Sequence, residues 1–158
     1  MRPIIRTSHD VIPTIARLVL GAVILPHGLQ KAFGMFGGYG FAGTMGFFTG
    51  SMHIPYVFGV LAIAAELLGG LGLLVGLLGR IAAFGVAMVM AVAVLTTHAS
   101  FGLFMNWTGQ QKGEGFEYHL LALGLATIVM LRGSGAASVD LALTDGAVAP
   151  RTAAAARA

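Results

Sequence analysis

Five ionisable side chains lie within otherwise apolar stretches of the chain: His27, Lys31, Glu66, His98 and Glu117. Within a bilayer, an ionisable group costs roughly 2.5–3.5 kcal/mol on insertion scales, so each needs a partner or a function. His27 and Lys31 are four residues apart and therefore share one face of a helix. Imidazole, ammonium and carboxylate groups could bind a polar ligand and relay protons. Equally, they could pair with one another and only fix the register of the helices.

The composition indicates which class of protein positions these residues. Hydrophobic residues make up 57% of the 158 and charged residues only 9%, against about 25% charged in soluble domains. An integral membrane protein is the economical interpretation. The net charge of +3 is too small and dispersed for nucleic-acid binding. The chain has no cysteine, which excludes cysteine-ligated zinc and iron–sulfur clusters, so redox chemistry would require a bound cofactor, a quinone or a partner protein.

Four apolar segments are long enough, or nearly so, to cross a hydrocarbon core of about 30 Å, which takes about 20 helical residues. The sequence predicts an all-α, polytopic membrane protein, an antiparallel bundle of four transmembrane helices, with a tight turn at Gly79–Arg80 and an interfacial segment over residues 34–56. Its parts are an N-terminus over 1–10, one membrane domain over 11–143 with spans at about 11–33, 57–78, 81–100 and 114–131, and a disordered tail over 144–158.

The arginines near the predicted helix ends are concentrated on the side of the two termini, which the positive-inside rule assigns to the cytoplasm. We therefore expect a protein of a bacterial cytoplasmic (inner) membrane with both termini cytoplasmic. Arg17 is expected to extend along its helix to the same interface as an anchor. The arginines counted on that side are Arg2, Arg6, Arg80, Arg132, Arg151 and Arg157.

Helical rise predicts the depth of the ionisable groups. Glu66 precedes Arg80 by 14 residues and Glu117 precedes Arg132 by 15, which places both carboxylates about 21–22 Å from the arginine side. His98 lies near the outer boundary. The five groups should therefore meet in one layer in the outer half of the bundle, with Lys31 neutralising one carboxylate. Three plainer interpretations stay open: Lys31 could extend to the lipid head groups, Glu117 could stabilise a helix N-terminus, and His98 and His119 could be solvated helix ends.

Several ligands are chemically compatible with such a layer. His27, His98, Glu66 and Glu117 could bind a metal, and the two histidines could ligate haem, but no compact metal or haem motif occurs. We therefore expect no metal, no haem and no covalently bound cofactor, and we consider a quinone the best candidate. The glycine-rich stretch "GGLGLLVG" lies in a predicted span, where Gly72 and Gly76 are expected to form a helix contact.

Several collinear stretches over about residues 15–143 resemble the DoxX family of small four-helix membrane proteins. They include "ARLVLGAVILPHGLQKAFG", the "AELLGG" stretch around Glu66, Arg80 opening the third helix, "GFEYHLLAL" and "GSGAASVDLAL". Relatives include the membrane subunit of an archaeal thiosulfate:quinone oxidoreductase and a mycobacterial member that assembles with a superoxide dismutase and a sulfurtransferase. The resemblance implies a redox-complex subunit with a soluble or membrane partner protein.

Two functions follow from these observations. The first is a quinone-linked oxidoreductase subunit, in which Glu66, Glu117 and His27 are catalytic and His27, Lys31, Glu66, His98 and Glu117 bind the quinone or another small molecule. The second is a non-enzymatic membrane scaffold, assembly partner or small-solute carrier whose polar layer is structural. Glycine-rich helices also permit a homodimer, although no face is specified.

Overall fold

The computed structural model describes residues 2–146, and all of the regular structure within this range is helical. The α-helices are α1 (Arg2–Ile5), α2 (Val11–Phe33), α3 (Gly40–Gly46), α4 (Tyr56–Val75), α5 (Gly79–Thr96), α6 (Glu117–Arg132) and α7 (Val139–Gly146). The tail predicted over 144–158 begins within α7, and its remaining residues, 147–158, lie outside the described part of the chain.

Three of these helices, α2, α4 and α5, are long and apolar enough to cross a membrane. Each exposes large hydrophobic side chains along its outer face, such as Val19, Leu68 and Phe84, which are 47%, 65% and 58% exposed. An apolar surface of this extent is typical of contact with lipid. The protein is therefore an integral membrane protein. At 16 residues, α6 is shorter than these three helices. A fourth membrane span at α6 therefore stays a prediction from the sequence.

Four helices share the apolar core. Helix α2 packs against α4 and α6, and α5 packs against the same two helices. The inward positions of α6 follow a three-four spacing, with His119, Ala122, Ala126 and Val129 all buried, as expected for one helix face turned to a core. The core also contains Ala16, Leu20 and Ile24 from α2, Leu73 from α4, and Ala83, Val86 and Met90 from α5.

The closest helix contact is between α2 and α4, and it depends on glycine. A Cβ atom at Gly28 would lie 2.5 Å from the backbone nitrogen and Cα of Leu67, so only glycine fits there. At Gly70, a Cβ atom would lie 2.9 Å from the backbone of Leu25. Small residues let membrane helices approach until their backbones touch. Gly28 immediately follows His27 and precedes Lys31 by three residues, and this close approach lets Lys31 reach Glu66 on α4.

The predicted turn at Gly79–Arg80 is wrong, because both residues belong to α5. The turn lies at residues 76–78, where Gly76 ends α4 in the left-handed conformation with φ +71°. The predicted helix contact formed jointly by Gly72 and Gly76 is correct only for Gly72, where an added Cβ would lie 3.5 Å from the Cβ of Ala82 in α5. Gly76 is instead the C-cap of α4 and packs against Ser138. The buried carboxylate of Asp140 accepts from the backbone amides of Leu78 and Gly79 at 2.8 and 3.0 Å, which satisfies the first turn of α5.

Arg17 is not an interfacial anchor, contrary to the sequence prediction. It is 1% exposed, and its guanidinium donates to the carbonyl oxygens of Leu73 and Leu74 at the end of α4 and to those of Ser134, Ala136 and Ala137. These carbonyls have no partner within a helix, and a buried cation satisfies them. Arg17 therefore ties the end of α4 to the segment after α6.

The predicted interfacial segment, residues 34–56, folds as short helical pieces. A 3₁₀ turn at Met35–Gly37 is followed by α3 and by a π-helical turn at Phe47–Ser51. Helix α3 packs mainly against α2 and touches α4. Thr44 and Met45 are its buried residues, whereas many of the aromatic side chains of this segment are exposed.

Candidate functional site

The polar site is built around an ion pair between α2 and α4. The Lys31 ammonium lies 2.5 Å from a carboxylate oxygen of Glu66. The Glu66 side chain is 4% exposed and that of Lys31 is 28% exposed. The prediction that Lys31 neutralises one of the carboxylates is confirmed. The pair forms because Gly28 allows α2 to approach α4 at this depth, and because Lys31, in the last turn of α2, reaches across to the middle of α4.

His27 lies one turn before Lys31 on the same face of α2, beside the ion pair. Its imidazole packs at an angle against the ring of Tyr118 on α6, with the ring centroids 6.4 Å apart. His27 is exposed in the isolated chain, and it faces the cavity described below. It is therefore placed to contact a ligand that reaches the ion pair.

Two further rings, those of His98 and His119, extend the polar site towards the end of α5. The rings of His98 and His119 are in contact, with centroids 4.1 Å apart and planes tilted by 42°, and the rings of His119 and Tyr118 are nearly perpendicular with centroids 5.3 Å apart. His98 Nδ1 lies 2.7 Å from the carbonyl oxygen of Glu114. Because a carbonyl oxygen only accepts, the His98 Nδ1 must donate this bond, which fixes the orientation of its ring.

Glu117 lies apart from the other predicted site residues. Its carboxylate accepts from the indole nitrogen of Trp107 at 2.8 Å and from the backbone amide of Met105 at 3.2 Å. Glu117 is also the first residue of α6, where a carboxylate is favoured by the unpaired amides of the helix. The prediction that Glu117 joins Glu66 in one polar layer is therefore wrong. The hydrogen-bond partners of Glu117 come from the loop before α6.

A large cavity connects the polar residues to the outer surface of α4 and α5. Its volume is about 1410 Å³, above the range of about 300–1,000 Å³ typical of sites for drug-sized ligands. At one end it is lined by the polar cluster, which we define as His27, Lys31, Glu66, His98, Tyr118 and His119. From there an apolar groove follows α4 and α5, lined by small, aliphatic and aromatic side chains, as far as Leu77, Leu78 and Ile81 at the other end of the helices.

The arrangement is suited to an amphiphilic ligand. The polar cluster supplies hydrogen-bond donors and acceptors from three helices, and the groove supplies an apolar surface for a long tail. Within residues 2–146, no group of three or more histidine and carboxylate side chains is close enough to hold a metal ion. His27 and His98 are instead engaged with different partners, Tyr118 and the Glu114 carbonyl.

Two residues of the polar cluster are absent from the sequence-predicted site. Tyr118 lies in the family-like stretch "GFEYHLLAL" and has no predicted role, and the interpretation of His119 as a solvated helix end is wrong. His119 is in fact 6% exposed. The signal for its burial is present in the sequence, since His119 shares a three-four spacing with three small or aliphatic residues of α6, Ala122, Ala126 and Val129.

Comparison with known proteins gives one match. The DoxX family model matches residues 12–99, which include α2, α4, α5 and four of the five predicted site residues. It does not extend over α6, so Tyr118 and His119 lie outside the matched region, and the match is shorter than the resemblance over residues 15–143. No curated protein and no solved structure matches the chain.

Proposed function

Because the chain belongs to the DoxX family, we propose that it is the membrane subunit of a redox complex that binds a quinone in the polar cluster and the apolar groove. The proposed protein is an antiparallel bundle of α2, α4, α5 and α6 in a bacterial cytoplasmic membrane, with both termini cytoplasmic. The observation that carries the proposal is the continuity of the cavity, which joins ionisable groups to a tail-sized apolar groove.

The residues of the cavity match what a quinone requires. A quinone takes up two electrons and two protons to become a quinol, and its carbonyl oxygens need hydrogen-bond donors. His27 and Lys31 are placed to donate to such oxygens, and Glu66 lies within hydrogen-bond distance of Lys31 to accept or pass on a proton. The electrons would come from a partner protein, since the chain contains no cysteine for an iron–sulfur cluster or a dithiol.

The second candidate is a structural scaffold or carrier, and the ion pair itself favours it. Lys31 and Glu66 satisfy one another at the closest contact between α2 and α4. The role of a buried pair of this kind can be purely structural, fixing how two helices pack. In that case the polar groups would contribute to assembly, and the groove would be filled by lipid.

Glu66→Gln separates these candidates, because it removes the charge and keeps the shape. Under the redox proposal, the variant folds and assembles but loses quinone-dependent electron transfer in membrane vesicles, with at least a tenfold drop in rate. The scaffold candidate predicts the opposite: reduced amounts of folded protein in the membrane and a normal rate per folded molecule. Asp145→Asn, at an exposed carboxylate of α7 outside the cavity, is the matched control. An unchanged rate and an unchanged fold in Glu66→Gln would contradict both.

A further inference from the structure

Two buried polar atoms at the polar end of the cavity have no partner. The hydroxyl oxygen of Tyr118 and the Nδ1 of His119 are both shielded from solvent, and no hydrogen bond to either is found within the described residues. Only one other side-chain atom in this part of the chain shares that condition, the Nε of Arg80. Native proteins satisfy nearly all their buried polar groups, so two orphans on adjacent residues require an explanation.

The side chains of both residues are held in place by their neighbours. The His119 ring contacts the His98 ring, with centroids 4.1 Å apart, and the Tyr118 ring, with centroids 5.3 Å apart. The Tyr118 ring also lies near the His27 ring, with centroids 6.4 Å apart. The rings are packed and the polar atoms are left without partners, and both residues line the cavity. A preorganised donor and acceptor in this state are typical of a ligand site.

We propose that Tyr118 and His119 are the residues that recognise the head group of the cavity's ligand, and that this head group is uncharged and carries carbonyl or hydroxyl oxygens. This inference rests on the proposed function, because it assigns the contacts of the same cavity. It adds head-group contacts from α6, outside the region that the family model matches, to those proposed for His27 and Lys31, and it leaves the Lys31–Glu66 pair intact.

The charge balance of the cluster favours an uncharged head group. Lys31 and Glu66 neutralise one another at 2.5 Å, so neither is free to pair with a charged ligand without leaving the other unpaired. A tyrosine hydroxyl can donate or accept, and a neutral imidazole nitrogen can do either according to its tautomer. Together they suit a quinone or quinol head, whereas a phospholipid head would bring a phosphate that needs a cation.

The test compares two decyl-tailed probes, 2-decyl-1,4-benzoquinone and decylphosphocholine, titrated into the full-length protein in nanodiscs, with bound ligand counted by native mass spectrometry. Tyr118→Phe and His119→Phe retain the aromatic packing and remove the polar atoms. We expect each to raise the Kd for the quinone about tenfold, the effect of one lost hydrogen bond. Tyr39→Phe, at a tyrosine that is 86% exposed and outside the cavity, should leave the Kd unchanged.

Thermal stability without ligand distinguishes ligand recognition from a merely structural role, because only a structural role predicts a lower Tm in the variants. Because the deleted atoms have no partner in the ligand-free protein, both variants should retain or exceed the wild-type Tm without ligand. A loss of several degrees would overturn the assignment, as would unchanged quinone affinity in both variants. If wild-type protein binds decylphosphocholine as tightly as the quinone, the uncharged head group is refuted. Failure of wild-type protein to bind the quinone at all would refute the proposed function itself.

Discussion

Removing the ammonium of Lys31 should destabilise the protein more than removing the carboxylate of Glu66. In Lys31→Met, the Glu66 carboxylate is left unpaired at a side chain that is 4% exposed. In Glu66→Met, the ammonium is left on a long side chain that is already 28% exposed and can extend to water. The two variants delete the same ion pair, so any difference between them reflects the burial of the group that remains.

The magnitude follows from the burial of the two partners. Breaking a fully buried pair by removing one partner costs about 3–5 kcal/mol, whereas exposed pairs are worth about 0.2–1 kcal/mol. With one partner buried and the other partly exposed, we expect Lys31→Met to lower the free energy of unfolding by about 2–3 kcal/mol and Glu66→Met by about 1 kcal/mol. The double variant should recover to within about 1 kcal/mol of the wild type, because apolar side chains of similar size replace buried ion pairs at little cost.

The assay is unfolding by SDS in mixed micelles, followed by circular dichroism, for the wild type, the two single variants and the double variant. Lys112→Met, at an exposed loop lysine, is the control and should change stability by less than about 0.5 kcal/mol. The reasoning is refuted if Lys31→Met costs no more than Glu66→Met, or if the double variant is less stable than both single variants.

Two further predictions concern packing and capping, and the same unfolding assay measures both. Gly28→Ala should lower the free energy of unfolding by about 1–3 kcal/mol, since its Cβ would lie 2.5 Å from the Leu67 backbone. The control Gly124→Ala, with open space around it, should be neutral or slightly stabilising. Equal effects of the two substitutions would contradict the close helix contact. Asp140→Asn should lower the free energy of unfolding by about 1–3 kcal/mol, because it weakens a buried acceptor of two backbone amides. The control Asp145→Asn, at an exposed side chain, should have almost no effect. Similar losses in the two variants would contradict the capping role of Asp140.

The sequence was sufficient for the features that follow from hydropathy and helical periodicity. The bounds of α2 agree with the predicted span at 11–33. A pair between Lys31 and one of the two carboxylates is predicted because ionisable groups at similar depth in an apolar medium need partners, but only the structure identifies that carboxylate as Glu66. Helical rise fixes depth along a helix but leaves the direction of each side chain around the helix undetermined. Glu117 shows the consequence, since it has the expected depth and yet binds Trp107 instead of Lys31.

The features that the sequence analysis missed depend on contacts between distant segments. Arg17 satisfies carbonyls that become unpaired only where α4 ends and where the chain leaves α6, and Asp140 caps α5 from 61 or more residues away. Hydropathy scales treat a buried arginine and an interfacial arginine alike, so tertiary hydrogen bonding decides between them. His119 is a different case, because the spacing of the small residues in α6 already indicated an inward face.

The central claim, that the cavity holds a quinone, is tested most directly by the mass of gently purified protein from a quinone-producing bacterial host. Native mass spectrometry should show one quinone per chain in the wild type. The adduct should be lost in Ala62→Phe, which fills the apolar groove, and retained in Ala22→Phe, an exposed position of α2 outside the cavity. Wild-type protein that carries no quinone, or an Ala62→Phe variant that retains as much quinone as the wild type, would contradict the claim.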